Sequence, residues 1–408
     1  MSQTIIEKLL KGAEVEWKTL EEIFTLKNGY TPSKSVEEYW IRGTVPWFRM
    51  EDLRASGRIL NNSVQKVHIK GVKGKLFPKN SIIMATTATI GEHALITVEH
   101  LCNQQFTNFV IKKEYQERLN IKFAYYYFFI IDKKAKDNIS ISSFPSVQMT
   151  KLKKWMFPIP PLSVQKEIVG ILDAFTAHTA ELTAELNERK KQYNYYLNKL
   201  LTFSDDEVEW KTLGDIGEVR MCKRILKHQT SENGDVPFYK IGTFGKRPDA
   251  YISRELFNDY KKKYNYPKIG EVLISASGTI GRTVIFDGSD AYFQDSNIVW
   301  IENDESQVLN KYLFYYYKIA KWGASEGGTI ARLYNDNLRK VAIPIPTLAE
   351  QQRIVDILDK FDALTTSITQ GLPREIELRN RQYEYYRDQL LNFPKPGNDA
   401  IKHNSTNR

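Results

Sequence analysis

The chain has 408 residues, 42% of them hydrophobic and 26% charged, with a formal net charge of +9 and an isoelectric point near 9.1. That length exceeds one core in most folds, so two or more domains of ordinary globular composition are expected. No apolar run reaches the roughly 20 residues of a bilayer span, and two lone cysteines, Cys102 and Cys222, make neither a disulfide framework nor a zinc site, which predicts a reducing, cytoplasmic setting.

The N-terminus, MSQTIIEKLLKGAEVEW, lacks the basic start and apolar centre of a signal peptide. EVEWKTL (14–20) then recurs unchanged at 207–213, which marks an internal repeat. Further pairs follow in order: VPWFRMEDL (45–53) with VPFYKIGTF (236–244), and SIIMATTATIGEHALI (81–96) with EVLISASGTIGRTVIF (271–286). QQFTNFVI (104–111) aligns with FQDSNIVW (293–300), KFAYYYFF (122–129) with KYLFYYYK (311–318), and FPIPPL (157–162) with IPIPTL (343–348). Each unit thus reads as a mixed globular part, a Pro-Ile-Pro hinge and a long helix.

The globular parts read mainly as β. SIIMAT and EVLISAS are β-branched runs, each ending in a Thr-Ile-Gly turn, and ALITV, TNFVIKK, TVIF and NIVWIE continue the strand pattern. The Tyr- and Phe-rich stretches after Lys122 and Lys311 read as short helices. Tyr251 to Tyr266 has only a loose partner around Gly57 to Phe77, as one scaffold carrying two different recognition surfaces would have.

Pro158, Pro160 and Pro161, and later Pro344 and Pro346, cannot sit inside a helix, so each long helix begins after them. Ser163 and Thr347 are the expected N-caps. Gln165/Lys166 and Glu350/Gln351 fall near the reciprocal position of a capping box, which only the second copy fits. The first helix carries apolar residues at 168, 172, 175, 182, 186, 193, 197 and 200, and the second at 354, 358, 361, 368, 372, 383, 386 and 390. Steps of three, four and seven mark a coiled-coil seam; two helices buried separately in their own domains are the alternative. Gly371-Leu372-Pro373 should kink the second helix. The polar tail after Phe393 is expected to be disordered.

Catalytic signatures are missing. There is no GxxxxGK(S/T) phosphate loop, no GxGxxG turn, no HExxH, and no Asn-Pro-Pro-aromatic segment of the kind an amino-methyltransferase uses on a flipped base. The six histidines are scattered, and acidic pairs such as Asp205-Asp206 read as solvated. The net positive charge fits either an ordinary basic protein or a nucleic-acid partner, whose phosphates require Lys and Arg.

Two globular units, each opened by VEWKTL and closed by FPIPPLSVQKEIVGILDAF or IPIPTLAEQQRIVDILDKF, resemble the specificity subunit of Type I restriction-modification systems over nearly the whole chain. TAELTAEL (179–186), followed by RKKQYNYY, resembles the IC branch of that family. The resemblance implies an α+β fold. Two similar, mainly β target recognition domains would be separated by two long helices packed as an antiparallel coiled coil, with pseudo-two-fold internal repeat. Its boundaries would be residues 1–157 and 204–342 for the recognition domains, 158–203 and 343–393 for the helices, and 394–408 for a disordered tail. It further implies that each domain reads one half of a bipartite, asymmetric DNA site. The helices would set the spacer and bind two modification (methyltransferase) subunits, with restriction (motor-nuclease) subunits completing the complex. It implies no catalytic residue, metal or cofactor in this chain, with S-adenosylmethionine, ATP and Mg on the partner subunits. TAELTAEL has no clean copy in the second helix, so any two-fold symmetry is approximate. A stand-alone DNA methyltransferase or nuclease, or a coiled-coil interaction scaffold without a DNA role, are the alternative readings.

Base edges are read by donors and acceptors, and phosphates by cations, presented at strand ends and loops. The candidates are Arg49, Lys73, Lys75, Thr87, Thr89, Gln104 and Gln105 in the first domain. In the second they are Lys240, Lys246, Arg247, Ser277, Thr279, Arg282 and Gln294. Thr89 and Thr279 match between copies and read as framework, whereas Glu92 against Arg282 is a difference suited to specificity. For the spacer and subunit contacts the candidates are Thr179, Leu182, Thr183, Leu186, Arg189, Tyr193, Tyr196, Tyr383 and Tyr386, with the Tyr193–Tyr196 cluster expected on the outer face.

Overall fold

The computed structural model describes residues 4–140, 145–322, 332–367 and 369–394. All of the tail after Pro394 lies outside them, as does Ile368 of the second seam. The chain divides into two units, residues 1–181 with 377–408, and residues 182–376.

Unit 1 opens with α1 (Ile5–Leu10), whose start is closed by a Thr4–Glu7 capping box. β1 (Glu16–Thr19) follows, and Thr19 caps α2 (Leu20–Ile23) by the same exchange with Glu22. The repeated WKTL is therefore a strand that turns directly into a helix. Next come β2 (Phe24–Asn28), β3 (Val45–Phe48), α3 (Met50–Ser56), β4 (Ile59–Leu60) and β5 (Lys66–Val67). They are followed by β6 (Ser81–Ala85), β7 (His93–Ile96), β8 (Leu101–Cys102) and β9 (Phe106–Ile111). One sheet has the order β2-β9-β6-β7-β4 and another β5-β3-β8, in which β3 and β8 are parallel. β6 is buried at every position because both of its faces are covered. Ile82 and Met84 join Phe24, Phe109 and Phe128, while Ile83 and Ala85 join Phe48, Phe77 and Phe106. That is why its sequence is a continuous apolar run and not an alternation.

α4 (Ile121–Lys136), capped by the Asn120 side chain, is the expected aromatic helix and supplies Phe123, Tyr126 and Phe128 to the core. A short hairpin of β10 (Ile139–Ser140) and β11 (Ser146–Val147), then α5 (Met149–Lys153), lead to β12 (Met156–Ile159). The segment expected to be a hinge is thus a strand. β12 pairs antiparallel with β1, with Trp17 opposite Pro158. In a two-stranded pair each strand keeps a free edge, where a proline without an N–H is tolerated.

α6 (Leu162–Leu201) runs unbroken for 40 residues, roughly 60 Å at about 1.5 Å per residue. It starts before Ser163, so Ser163 is not its cap. The Gln165 N–H already donates to Pro161 O at 3.1 Å, and proline's fixed φ suits a helix start. Gln165 also takes no part in a capping box, because its side chain is fully buried. Its Nε2 donates to Arg118 O (2.9 Å) and Pro160 O (2.7 Å), and its Oε1 accepts from Asn120 N–H (2.8 Å).

Unit 2 repeats this order with β13 (Glu209–Thr212), α7 (Leu213–Ile216), β14 (Val219–Arg220), β15 (Val236–Tyr239) and β16 (Tyr251–Ile252). α8 (Arg254–Lys263), β17 (Val272–Ser275), β18 (Thr283–Ile285), β19 (Tyr292–Phe293) and β20 (Ile298–Ile301) follow. α9 (Asn310–Tyr316), α10 (Asn335–Arg339), β21 (Ala342–Ile345) and α11 (Leu348–Thr365) complete the copy. Its sheets run β14-β20-β17-β18 and β16-β15-β19, and β13 pairs with β21 so that Trp210 faces Pro344. β16 pairs with β15 as β5 pairs with β3, and α8 follows it where unit 1 has only a single turn at Ile69–Gly71, so the two copies diverge where the sequences do. Thr347 caps α11, accepting from Glu350 N–H at 3.3 Å. The Glu350 carboxylate pairs with Arg353. Gln351 repeats the Gln165 knot with Gln307 O (2.8 Å), Pro346 O (2.9 Å) and Leu309 N–H (2.8 Å).

The kink expected at Gly371 is a complete break before α12 (Gly371–Leu390). Gly371 has φ +76°, and a Cβ there would lie 2.4 Å from Ala363 O, so the turn requires glycine. Within unit 1, Phe175 of α6 stacks on Tyr386 of α12 at 5.5 Å. Ile168 and Leu172 share a core with Leu390, Leu391 and Phe393. Within unit 2, Tyr196 of α6 stacks on Phe361 of α11 at 5.4 Å. Tyr193, Leu197 and Leu201 share a core with Ile354, Val355 and Leu358. The start of α6 thus partners the end of α12, and its end partners α11, the order of an antiparallel pair.

Candidate nucleic-acid interface

Each unit gathers strand ends and loops onto one rim, and the two rims share a backbone frame. In unit 1, Asn103 N–H donates to Phe48 O (3.0 Å), Thr86 N–H to Gln105 O (2.9 Å) and Val147 N–H to Thr86 O (2.9 Å). In unit 2, Gln294 N–H donates to Tyr239 O (2.9 Å), Ala276 N–H to Asn297 O (2.7 Å) and Leu333 N–H to Ala276 O (2.8 Å). Isolated β-bridges join Thr87 to Ser146 and Ser277 to Arg332. Arg49 therefore corresponds to Lys240, Asn103 to Gln294, Gln105 to Asn297, and Ser146 to Arg332. This overturns the alignment of residues 104–111 with 293–300. β6 pairs Ala85 with Phe106, and β17 pairs Ser275 with Ile298, so Phe106 corresponds to Ile298. The loop Gln294–Asn297 is one residue longer than Asn103–Gln105, and the sequence match had slipped along an apolar strand.

Arg49, directly after β3, lays its guanidinium 5.0 Å from the Trp47 ring centre and pairs with Glu51. Its Nε is buried without a hydrogen-bond partner. It lines a cavity of about 380 Å³ with Lys34, Glu37, Trp40, Trp47 and Gln65. Gln104 is exposed and accepts from the Thr31 hydroxyl. Gln105 is held by the Asn103 side chain, and Thr87 sits half-buried at the bridge. Lys73 is tied to the same region by its N–H, which donates to Tyr30 OH at 2.6 Å, and its side chain is exposed, as is that of Lys75.

In unit 2, Gln294 Oε1 accepts from Ile241 N–H at 2.9 Å, bracing the turn after β15. Lys240 from that turn pairs with Asp249 at 2.9 Å. Lys246 and Arg247 are exposed. Ser277 donates to Asn297 Oδ1 (2.8 Å), and the Arg282 guanidinium donates to Phe244 O (3.1 Å). Thr89 and Thr279 occupy equivalent turns closed by Gly91 (φ +72°) and Gly281 (φ +80°), whose N–H groups donate to Ala85 O and Ser275 O.

Sequence spacing missed Arg332, which donates to Ser296 O and lies over the Tyr334 ring, and Arg224, which pairs with Asp295 at 2.8 Å. It also missed the Trp40–Trp47 pair, 5.0 Å apart. Arg332 was findable, since the offset that matches FPIPPL to IPIPTL also matches Ser146 to Arg332.

The helix candidates sort by face. Leu182 and Leu186 are half-buried on α6, where the Thr179 hydroxyl donates back to Phe175 O and Thr183 is exposed. Arg189 binds Gln192 and Glu185 within the same helix. Tyr193 is buried, and Tyr196 and Tyr386 stack in the seam, while Tyr383 lies beneath the Arg387 guanidinium. Within the Tyr193–Tyr196 cluster, therefore, Tyr193 and Tyr196 face the seam and only Tyr195 faces outward. The outward tyrosines are Tyr195 and Tyr385, equivalent in the repeat and 58% and 60% exposed.

Among the described residues no group of three or more His, Cys, Asp or Glu could hold a metal ion. Burial pushes the Cys102 thiol up and the Cys222 thiol up to about 12, so neither is a thiolate at neutral pH. No helix among the described residues is long and apolar enough to cross a membrane.

The family model described as Type I restriction modification DNA specificity domain matches residues 13–191 and 205–378. A putative type I restriction enzyme specificity subunit of Haemophilus influenzae is 49% identical over 96% of this chain and 99% of its own length. The type I restriction enzyme EcoprrI specificity subunit of Escherichia coli is 41% identical over 90% of this chain and 92% of its own length. A chain from a structure of complex assembly and conformational transition in the type I R-M system aligns with a TM-score of 0.63 at 17% identity. That alignment covers 92% of this chain and 97% of that one, and it shows a shared fold. With both halves matched and relatives this similar along its length, the chain belongs to the Type I restriction modification DNA specificity domain family.

Proposed function

We propose that the chain is the DNA sequence-specificity subunit of a Type I restriction-modification complex. Residues 1–157 and 204–342 act as its two target recognition domains, each reading one half of a bipartite, asymmetric site. The long helices, 158–203 and 343–393, set the spacer and carry the docking faces for two modification subunits, to which restriction subunits add. Double-stranded DNA is the ligand of the rims. The chain contributes no catalytic group of its own, and S-adenosylmethionine, ATP and Mg act on the partner subunits, in the cytoplasm.

The observation that carries this reading is the duplicated rim. One backbone frame presents Arg49, Asn103, Gln105 and Ser146 in unit 1, and Lys240, Gln294, Asn297 and Arg332 in unit 2. A frame kept constant while its donors and acceptors change is what two readers of different base sequences require. The rim candidates Arg49, Thr87, Gln104, Gln105, Ser277, Arg282 and Gln294 are assigned to the DNA-facing set with Arg332. Lys73, Lys75, Lys246 and Arg247 supply phosphate contacts.

The test is binding of the chain, assembled with its modification subunits, to duplex DNA across a salt series. Binding should weaken steeply with salt on random sequence and retain a specific component on the cognate site. Salt-insensitive or absent binding would leave an interaction scaffold instead. Methyl transfer or cleavage by the lone chain supplied with S-adenosylmethionine or Mg would make it an enzyme in its own right.

A further inference from the structure

Asp173 and Asp359 close the repeated segments IVGILD and IVDILD. In unit 1, two residues one turn apart on α4 reach Asp173: Tyr126 OH donates to Oδ1 at 2.7 Å and Lys122 Nζ to Oδ2 at 2.6 Å. In unit 2, Tyr315 OH donates to Asp359 Oδ1 at 2.6 Å, and Lys311 Nζ donates to its Oδ2. Each oxygen serves the same partner in both copies. Two turns earlier on each long helix, Gln165 or Gln351 takes the backbone N–H of the residue that precedes the same aromatic helix. These two grips recur in both copies, and in unit 2 Lys318, just past the end of α9, also donates to Asp362 at 3.3 Å.

The aspartates are about a third exposed, at 34% and 37%, and their lysines more so. Ion pairs of that kind add little to stability. The arrangement nevertheless persists in both copies while neighbouring positions differ, Gly170 against Asp356 and Ala174 against Lys360. Its geometry suits control of angle. The two grips are about 12 Å apart along the helix. Slack of ~1 Å at one of them is a swing of ~5°, which across a domain ~40 Å wide moves the rim by ~3 Å. That is close to the rise of one base pair, since about ten pairs span ~34 Å.

We propose that Asp173 and Asp359 are positioning residues that fix the angle of each recognition domain on its long helix and so set how strictly the gap between half-sites is measured. The inference rests on the specificity reading above. Two readouts test it. In the full chain, spin labels at Arg54→Cys and Ala177→Cys, both exposed positions of unit 1, report the domain–helix distance; Cys102 and Cys222 are buried and stay unlabelled. Asp173→Ala should broaden that distance distribution about two-fold, and Asp173→Glu should restore it. In the assembled methyltransferase, a library holds both half-sites constant and varies the gap by single base pairs. The parent should accept one gap. Asp173→Ala should also accept gaps one pair longer or shorter at a tenth or more of the parent rate, with both half-sites read as before, and Asp173→Glu should return to one gap. An unchanged label width, or a single gap retained at any rate, overturns the proposal. A parent complex that methylates no bipartite site defeats the specificity reading instead, and the label widths still decide the clamp.

Discussion

Replacing Gln165 with alanine strands three backbone groups at once: Asn120 N–H, Arg118 O and Pro160 O. Pro160 is buried and Asn120 half-buried, whereas Arg118 is exposed, so the Arg118 carbonyl can turn to water most readily and the other two groups carry the loss. At about 1–3 kcal/mol for each buried group left unsatisfied, the loss is roughly 2–5 kcal/mol. For a unit of this size 1 kcal/mol shifts the melting temperature by about 2–4 °C, so unit 1 should melt roughly 4–20 °C lower. Gln165→Glu keeps the volume but sets a carboxylate against two carbonyls, and should destabilise at least as much. Gln351→Ala should have the same effect on unit 2. Differential scanning calorimetry of the three variants reads this directly. A shift below about 2 °C for Gln165→Ala, or a Gln165→Glu variant as stable as the parent, would refute the claim that the knot is held by its hydrogen bonds.

Three further outcomes are expected. His100 is fully buried between the Phe48 and Phe77 rings, gives its Nδ1 proton to Val98 O and meets the Asn108 amide with Nε2. Burial lowers its pKa to about 4. The unfolded chain therefore takes up the proton first, so stability is full above about pH 6.5 and is lost as pH falls toward 4. Between pH 7 and pH 5 the loss from this group is roughly 2 kcal/mol. Denaturant unfolding at the two pH values checks it, and the same pH slope in a His100→Gln variant would contradict it. A third TAEL added after residue 186 turns α6 by a net ~40° and lengthens it by ~6 Å, against ~35° per base pair. The recognised gap should grow by about one base pair with both half-sites kept, and methylation mapping that finds the old gap would reject the ruler. Gln104→Ala should relax one base of one half-site at a cost of about 1–3 kcal/mol, while Thr279→Ala should leave the recognised sequence as it was. Competition binding with single-base variants separates the two, and a Gln104→Ala complex with unaltered base preferences would remove Gln104 from the readers.

Much of the architecture is written in short-range pattern. EVEWKTL, stated twice, exposes the repeat, and the β-branched runs, the aromatic helices and the three–four steps of the seam are local signals that packing reinforces. What escaped notice depends on partners distant in sequence. Gln165 looks like a first-turn helix residue, and only the fold brings Arg118 and Asn120 against it. The Pro-Ile-Pro segment looks like a hinge because its strand partner lies at the other end of the globular part. Tyr193, Tyr195 and Tyr196 lie within four residues, yet at about 100° per residue Tyr195 faces away from the other two, and only the course of the seam decides which side points outward. The rim alignment slipped because apolar strand residues match one another at several offsets. The pairing of Ala85 with Phe106, and of Ser275 with Ile298, admits only one.

The central claim is that two recognition rims with a common frame read two different half-sites at a fixed gap. The most direct measurement is genome-wide methylation mapping in cells that express this chain with its modification subunits. The expected result is one asymmetric motif of two specified halves separated by unspecified bases of constant number, with Arg332→Ala altering one half alone. A continuous or palindromic motif, no motif, or an Arg332→Ala change that spreads to both halves would contradict it.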